Sequence, residues 1–286
     1  MSKYFNAGMA IAAVTLAGAV TTSAQAQIFQ DNSITYTYGT RFHEPFNQRD
    51  IEKHWVSYQH VSGDKLGGNF FLLDVKMSDS VDPTGGSAGS ASPQGAQELY
   101  GIYIRTFSWN KVTGSKGGFG PIADFGWTVG GHANSKNDSF GSRKRLFTSG
   151  LYLDWAMPMN ASLRTSAEVC REWNRAPSTP NRDADYQATA CFNGFLMVPF
   201  TVGKMPVYFT TGLSVVAPKG ENTTWEYYVF PELMADVGTV FGARKGLLEV
   251  GVRYDYWLNK FGNNSAGPAG DGAFDRVPML RVRSHF

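Results

Sequence analysis

Residues 34–38, Ile-Thr-Tyr-Thr-Tyr, decide the fold class of this chain. Large apolar side chains occupy the even positions and small polar side chains the odd positions. A repeat of two residues is typical of a β-strand with one apolar and one polar face. Similar stretches recur about every 20 residues, between segments rich in Gly, Ser, Asn, Asp and Pro. The sequence therefore predicts an all-β fold.

Extending the same pattern along the chain predicts twelve strands. They cover residues 32–42, 52–62, 66–77, 97–109, 121–133, 145–157, 161–174, 184–198, 206–217, 225–238, 246–258 and 277–286. Most are long enough to cross a bilayer in a tilted barrel, which takes about 9 to 11 residues. Short connections (62–65, 158–160, 242–246) alternate with longer ones (78–96, 134–144, 175–183, 259–276). This rhythm predicts a twelve-stranded antiparallel transmembrane β-barrel over residues 27–286, with short periplasmic turns and longer extracellular loops.

The N-terminus has the three parts of an export signal. Lys3 is followed by an apolar run at residues 7–20 and by Ala-Gln-Ala at residues 24–26. This order predicts a signal peptide over residues 1–26, cleaved after Ala26. The apolar run is shorter than the roughly 20 residues of a spanning helix. An uncleaved anchor is the alternative, and the polar residues 21–27 that follow disfavour it.

Composition agrees with a barrel exported to the outer membrane. Aromatic residues make up 14% of the chain and there are 32 glycines, yet the mean hydropathy is only -0.26. In a membrane barrel only every second residue of a strand faces lipid. A chain rich in aromatic residues can therefore have a low mean hydropathy and still form a membrane protein. Without residues 1–26, which hold one Lys and no acid, 25 basic residues face 24 acidic ones, so no nucleic acid partner is implied. A soluble β-sandwich is the alternative, but its long and short connections need not alternate.

Cys170 and Cys191 are the only two cysteines. Export places them in an oxidising compartment, and they flank a predicted hairpin loop on neighbouring strands. A cross-strand disulfide is expected, with two separate buried thiols as the alternative. No spacing of Cys and His suggests a metal site, and no cofactor is expected.

Several long phrases resemble one family of outer-membrane channels. They include DNSITYTYGTRFHEPFN (31–47), HVSGDKLGGNFFLLDVKMSDSVDP (60–83), AQELYGIYIRT (96–106), FGPIADFGWTVG (119–130), SKNDSFGSRKR (135–145), VVAPKGEN (215–222) and RYDYWLNKFGN (253–263). In these the chain resembles the OmpK-type branch of the Tsx-like nucleoside-specific channel family of Gram-negative bacteria. The resemblance implies a twelve-stranded barrel that admits nucleosides and deoxynucleosides, with related proteins serving as phage receptors.

Strand parity selects candidate residues for the lumen. A pore selective for nucleosides would stack the base on aromatic rings and bind the ribose through polar groups. On the fourth strand we expect Tyr100, Ile102 and Ile104 to face lipid. The lumen candidates for solute binding are Tyr103, Arg105, Phe107, Phe70, Asp74, Asp124, Tyr228, Phe230, Asp255 and Trp257. The alternative is that the aromatic side chains pack the wall or lie at the membrane interface, while the charges neutralise one another across the lumen.

Two other functions fit a barrel less well. A lipid-hydrolysing enzyme needs a nucleophilic Ser beside a His, and the nearest pairing is Ser57 with His54 or His60. Opposite strand parity separates Ser57 from both, so catalysis is not expected. A receptor or adhesin would use exposed loops such as residues 83–95, to which a phage could attach. The expected partners are therefore a small solute, outer-membrane lipid and a phage at the extracellular loops.

Overall fold

The computed structural model describes residues 28–82, 95–138, 141–175 and 183–286. The predicted signal peptide, and most of the loop at residues 83–95, lie outside these ranges. The strands are β1 Phe29–Glu44, β2 Asn47–Gly63, β3 Gly67–Ser78, β4 Gln97–Ser108, β5 Ile122–Lys136, β6 Arg145–Trp155, β7 Ser162–Arg175, β8 Asp183–Asp185, β9 Thr189–Val202, β10 Met205–Val216, β11 Glu226–Asp236, β12 Glu249–Leu258 and β13 Phe274–His285. Two short α-helices, α1 Trp109–Thr113 and α2 Val237–Val240, and two 3-10 turns, Lys260–Gly262 and Gly270–Ala273, lie in the connections.

The strands form one closed antiparallel barrel. Each wall strand pairs with its neighbours in sequence, β1 pairs with β13, and the pairing of β6 with β7 completes the ring. The three-residue β8 pairs only with the end of β7, and β7 pairs directly with β9 in the wall. The prediction of a twelve-stranded barrel is therefore confirmed. The predicted eighth strand is divided into β8 and β9 because residues 186–188 leave the ladder.

The connections alternate less regularly than the sequence suggested. We call the end of the barrel that carries residue 28 and the C-terminus the terminal end, and the opposite end the loop end. The long connection 259–273 does lie at the loop end, where β3 also ends and β4 begins. However, β1 and β2 are joined there by residues 45–46 alone, and the terminal end carries the longer connections 109–121 and 237–248. These two connections contain α1 and α2, whose N-cap residues are Ser108 and Asp236.

The outer face of the wall is apolar. Large hydrophobic side chains are exposed on it around the ring, as expected for a surface in contact with lipid. They include Ile34, Tyr36, Val56, Val75, Leu99, Trp127, Phe147, Leu151, Val169, Phe192, Leu213, Leu233, Val252, Leu280 and Val282. Exposed aromatic residues gather near both ends, with Trp109 and Phe119 at the terminal end and Trp173 and Trp225 at the loop end. Such girdles mark the two interfaces of a membrane barrel.

Among the residues that the structure describes, no helix has the length and apolar character needed to span a membrane.

The interior is filled unevenly. Most inward side chains of β1, β2 and β13 are buried, and an apolar cluster inside them contains Phe42, Ile51, Trp55, Val277 and Met279. Inward side chains in the middle of β3, β4, β9 and β11 are in contrast partly exposed. The open part of the lumen therefore runs along one side of the barrel.

Candidate functional site

A row of aromatic rings follows the inner wall of β9, β11 and β12. From the loop end inward it contains Phe261, Trp257, Tyr228, Phe230 and Phe195, and we call it the aromatic stripe. Ring centroids are 4.8 Å apart for Trp257 and Phe261, 4.8 Å for Tyr228 and Trp257, and 5.1 Å for Tyr228 and Phe230. These separations are typical of packed aromatic pairs.

Hydrogen bonds with charged side chains restrain the rings of the stripe that lie toward the loop end. The hydroxyl of Tyr228 donates to Asp255 Oδ2 at 2.8 Å and accepts from the guanidinium of Arg253. Arg253 also donates to Asp255 Oδ1 at 2.7 Å, and its guanidinium lies 4.3 Å from the centre of the Phe230 ring. Trp257 Nε1 donates to Glu226 Oε1 at 2.8 Å. The polar edges of the rings are therefore occupied, which restrains their orientation.

Phe195 is the most exposed ring of the stripe. It pairs with Arg164 on β7 and with Gly212 on β10, and both of these residues face inward. Its side chain is 45% exposed, although it points into the barrel. Gly212 lies between Phe195 and Phe230, and a Cβ there would come within 2.0 Å of the Phe230 ring. The glycine therefore lets the Phe230 ring lie against the wall of β10.

A second polar group lies below the stripe toward the terminal end. The carboxylate of Glu232 on β11 accepts from Arg281 and Arg283 on β13, and Arg283 also lies 3.5 Å from Glu249. Because β12 separates β11 from β13, these contacts are made inside the lumen. Paired charges of both signs thus line the wall that continues the aromatic stripe.

The loop end is crossed by a network of lysines and carboxylates, which we call the loop-end network. Glu44 lies 2.5 Å from the Lys53 ammonium, 3.4 Å from that of Lys136 and 3.6 Å from that of Lys260. Lys136 on β5 also binds Asp82 at 2.8 Å. Since β1 and β5 are not neighbours, the network closes part of the mouth of the barrel.

Lys260 ties the β12–β13 connection into this network. Its ammonium lies 2.7 Å from Asp275 Oδ2 and donates to the main-chain carbonyl of His43 at 2.6 Å. Burial lowers the pKa of Lys260, but the carboxylates of Asp275 and Glu44 outweigh it and raise that pKa above its ordinary value. The lysine is therefore charged at neutral pH.

The structure brings four of the predicted lumen residues into one site. Tyr228, Phe230 and Trp257 belong to the aromatic stripe, and Asp255 holds Tyr228 in place. Phe70 and Asp74 also face inward, on β3, where Asp74 accepts from Ser57 Oγ at 2.7 Å. Asp124 faces inward at the terminal end.

Asp124 has a structural role there. One of its carboxylate oxygens accepts from Ser108 Oγ, and the other accepts from the main-chain N–H of Asn110 at 3.2 Å. Both donors belong to the start of α1. Asp124 therefore holds the first turn of that helix against β5.

The other three candidates, Tyr103, Arg105 and Phe107, lie on the outer face, so their expected position in the lumen is wrong. Tyr103 is 48% exposed and pairs with Gly131, while Phe107 pairs with the exposed Trp127. Arg105 reaches Asp64 in the β2–β3 turn at 2.9 Å. Its long side chain thus carries the charge out of the apolar band, as arginines near a membrane interface do.

The error has a physical cause on β4. Its inner face is nearly as apolar as its outer face, because Tyr100, Ile102 and Ile104 point into the lumen. Tyr100 donates to or accepts from His132 Nδ1 at 2.8 Å, which places it among inward side chains of β5. Strand parity shows which residues share a face of the strand. When both faces are apolar, parity does not show which of the two faces the lipid.

Sequence reasoning also missed Phe195, Phe261 and Arg253 as parts of the site. For Phe195 a signal exists, because it shares strand parity with Cys191 and Asn193 and alternates with the apolar residues Phe192 and Leu196. Phe261 lies in a connection, where strand parity gives no information. Strand parity places Arg253 in the lumen, but its contact with Phe230 depends on the alignment of β11 and β12.

Cys170 and Cys191 form a disulfide between β7 and β9, with Cα atoms 6.0 Å apart. Both side chains are buried and face inward beside Thr148 and Glu168. The bond joins neighbouring wall strands just below the loop end.

Ser57, His54 and His60 do not form a catalytic arrangement. Ser57 is buried on the inner face, whereas His54 and His60 alternate with it on the outer face of β2. The wall of the barrel therefore separates the hydroxyl from both imidazoles. Within the described ranges, no cluster of three or more His, Cys, Asp or Glu residues could hold a metal ion.

Comparison with known proteins identifies only broad structural similarity. No family model and no curated protein matches the sequence. Among solved structures, the translocator domain of the autotransporter NalP from Neisseria meningitidis is 12% identical, with a TM-score of 0.45, and the match covers 98% of this chain and 94% of that one. The NanC porin is 10% identical with a TM-score of 0.44, covering 88% and 97%. The KdgM porin is 8% identical with a TM-score of 0.39, covering 89% and 98%. Scores and identities this low do not distinguish one function from another.

Proposed function

We propose that this chain is an outer-membrane channel through which small solutes diffuse passively, and that its preferred solutes are nucleosides. The apolar outer face and the aromatic girdles at both ends support the membrane location. In this arrangement the terminal end faces the periplasm and the loop end faces outward.

The aromatic stripe is the observation that carries the choice of solute. A nucleoside is uncharged and has a flat aromatic base, which gains about 1 to 3 kcal/mol by stacking on an aromatic side chain. Phe195 offers such a surface, since nearly half of its side chain is exposed inside the lumen. Successive rings provide several weak sites, and weak sites allow a solute to leave again.

Polar groups beside the exposed ring complement a ribose. Asn193 is two residues from Phe195 on the same inner face, and it donates to Glu168 at 3.1 Å. Arg164, directly opposite Phe195, forms two hydrogen bonds of 2.7 Å with Asp154 and keeps 43% of its side chain exposed. Amide, guanidinium and carboxylate groups can bind hydroxyls without requiring a charged solute.

Single-channel conductance in planar bilayers tests the proposal. We expect adenosine and thymidine to block the current in a saturable way below millimolar concentration. Arabinose, which has hydroxyls but no aromatic ring, should not block in that range. A pore that conducts but responds to no nucleoside would refute the choice of solute while keeping the channel. A protein that inserts and never conducts would refute the channel itself.

A further inference from the structure

A groove on the outer face of the wall is separate from the lumen. It has a volume of about 480 Å³ and crosses β4, β5 and β6. Gly101 and Gly131 form part of its floor, where larger side chains are missing. The groove is also lined by three side chains that are exposed on the outer face, those of Tyr103, Phe147 and Trp173.

Basic residues surround the loop end of this groove. Arg145, which lines it, pairs with Trp173 across β6 and β7. Its guanidinium donates only to main-chain carbonyls, those of Asn134 at 2.9 Å and Lys144 at 2.7 Å, and within the described residues it has no carboxylate partner. Two further arginines at this edge, Arg143 and Arg171, are paired with Asp183 and Asp185 respectively.

Arg145 therefore places a positive charge without a carboxylate partner among the described residues just where the apolar groove ends. An occupant that matches both parts has an apolar chain and an anionic group at one end. Within a bilayer, acyl chains lie beside the apolar wall and phosphates lie at its edge, and positively charged side chains attract anionic headgroups there.

We propose that this groove binds a phosphorylated lipid of the leaflet at the loop end, with an acyl chain across Gly101 and Gly131 and a headgroup phosphate on Arg145. The guanidinium geometry suits a phosphate, which accepts two parallel hydrogen bonds from it. The inference rests on the proposed location in an outer membrane and is independent of which solute passes through the lumen.

Native mass spectrometry of the purified protein in detergent, titrated with diphosphoryl lipid A, tests it. We expect one tightly bound lipid, with affinity reduced at least tenfold in R145Q and in G101L. A Cβ at Gly101 has no atom nearer than 3.9 Å, so a side chain can start there without a clash and leucine extends it into the groove. G194L is the matched control, because Gly194 faces outward on β9 and its nearest atom would be 3.7 Å away. It should bind like the wild type.

Two further measurements distinguish binding of a lipid from binding of a free anion. Dephosphorylated lipid A should bind at least tenfold more weakly, and inorganic phosphate should not displace the intact lipid. Equal binding by R145Q, G101L and the wild type would overturn the proposal, as would displacement by phosphate alone. If G101L fails to show the heat-dependent gel migration of a folded barrel, R145Q decides the question. Block of the current by nucleosides should be unchanged in both variants, so this result is distinct from the test of the channel.

Discussion

Two phenylalanines on β9 allow a matched test of the aromatic stripe. Phe195 and Phe192 are three residues apart, lie on opposite faces of the strand, and are each 45% exposed. Phe195 points into the lumen beside Gly212, while Phe192 faces outward next to Ala167 and Val215. Replacing either one by alanine removes the same atoms from the same strand. Only F195A changes the surface that a solute meets.

The stacking energy of one base on one ring sets the size of the expected effect. One base stacked on one aromatic ring gains about 1 to 3 kcal/mol, which corresponds to a change in Kd of about 5- to 150-fold. F195A should therefore raise the concentration of adenosine that half-blocks the current by at least fivefold, whereas F192A should leave it unchanged. Replacing a fully buried phenylalanine by alanine lowers the free energy of unfolding by about 3 to 5 kcal/mol. Because Phe195 is half exposed, F195A should cost less than that.

The assay is the nucleoside block of single-channel current, measured side by side for the wild type, F195A and F192A. Heat-dependent gel migration establishes that each variant is folded. Open-channel conductance in the absence of nucleoside should change little or rise slightly in F195A. An unchanged half-blocking concentration in F195A, or an equal change in both variants, would refute the role of the stripe in solute binding.

Three further predictions concern stability. E232Q should lower the free energy of unfolding by about 3 to 5 kcal/mol, because the buried Arg281 loses its carboxylate partner and Arg283 keeps only the more distant Glu249; urea unfolding in lipid vesicles measures this, and a loss below 1 kcal/mol would contradict it. The hydrogen bond from Arg105, with main-chain donors in the turn, lowers the pKa of Asp64 to about 2. The resulting stabilisation should be nearly complete above about pH 4 and be lost as the pH falls through 2; D64N should lose less stability over this range in the same assay, where only the other carboxylates titrate. Replacing Cys170 and Cys191 together by serine should cost about 3 kcal/mol, as expected for a disulfide that joins residues 21 apart; nucleoside block should persist, and its loss would show that the bond shapes the lumen.

Much of the wall could be predicted because alternation is a local property. On β7, for example, Glu168 and Glu172 alternate with Val169 and Trp173, and the structure places the two acids inside. A single strand with one charged face and one apolar face contains all the information needed to orient it in a membrane. The same reasoning located Tyr228 and Trp257 on the inner wall.

Local alternation failed where a strand offered no contrast between its faces. β4 carries one charge on each face: Arg105 lies near the terminal end and is satisfied by Asp64 outside the apolar band, and Glu98 lies at the loop end of the strand. The inward side chains Ile102 and Ile104 face the open part of the lumen, where an apolar residue carries no penalty as large as a charge in lipid. Orientation of β4 therefore depended on its neighbours, β3 and β5.

By itself, the sequence determined the all-β class, twelve wall strands and the faces of those strands whose two sides differ in polarity. These properties follow from the two-residue period of the β-strand, which needs no knowledge of distant contacts. Only the tertiary structure decided which residues meet inside. Lys136 and Glu44 are 92 residues apart, and Phe195 comes next to Phe230 only across Gly212. The stagger and closure of the barrel set those contacts, since neither property is encoded within any single strand.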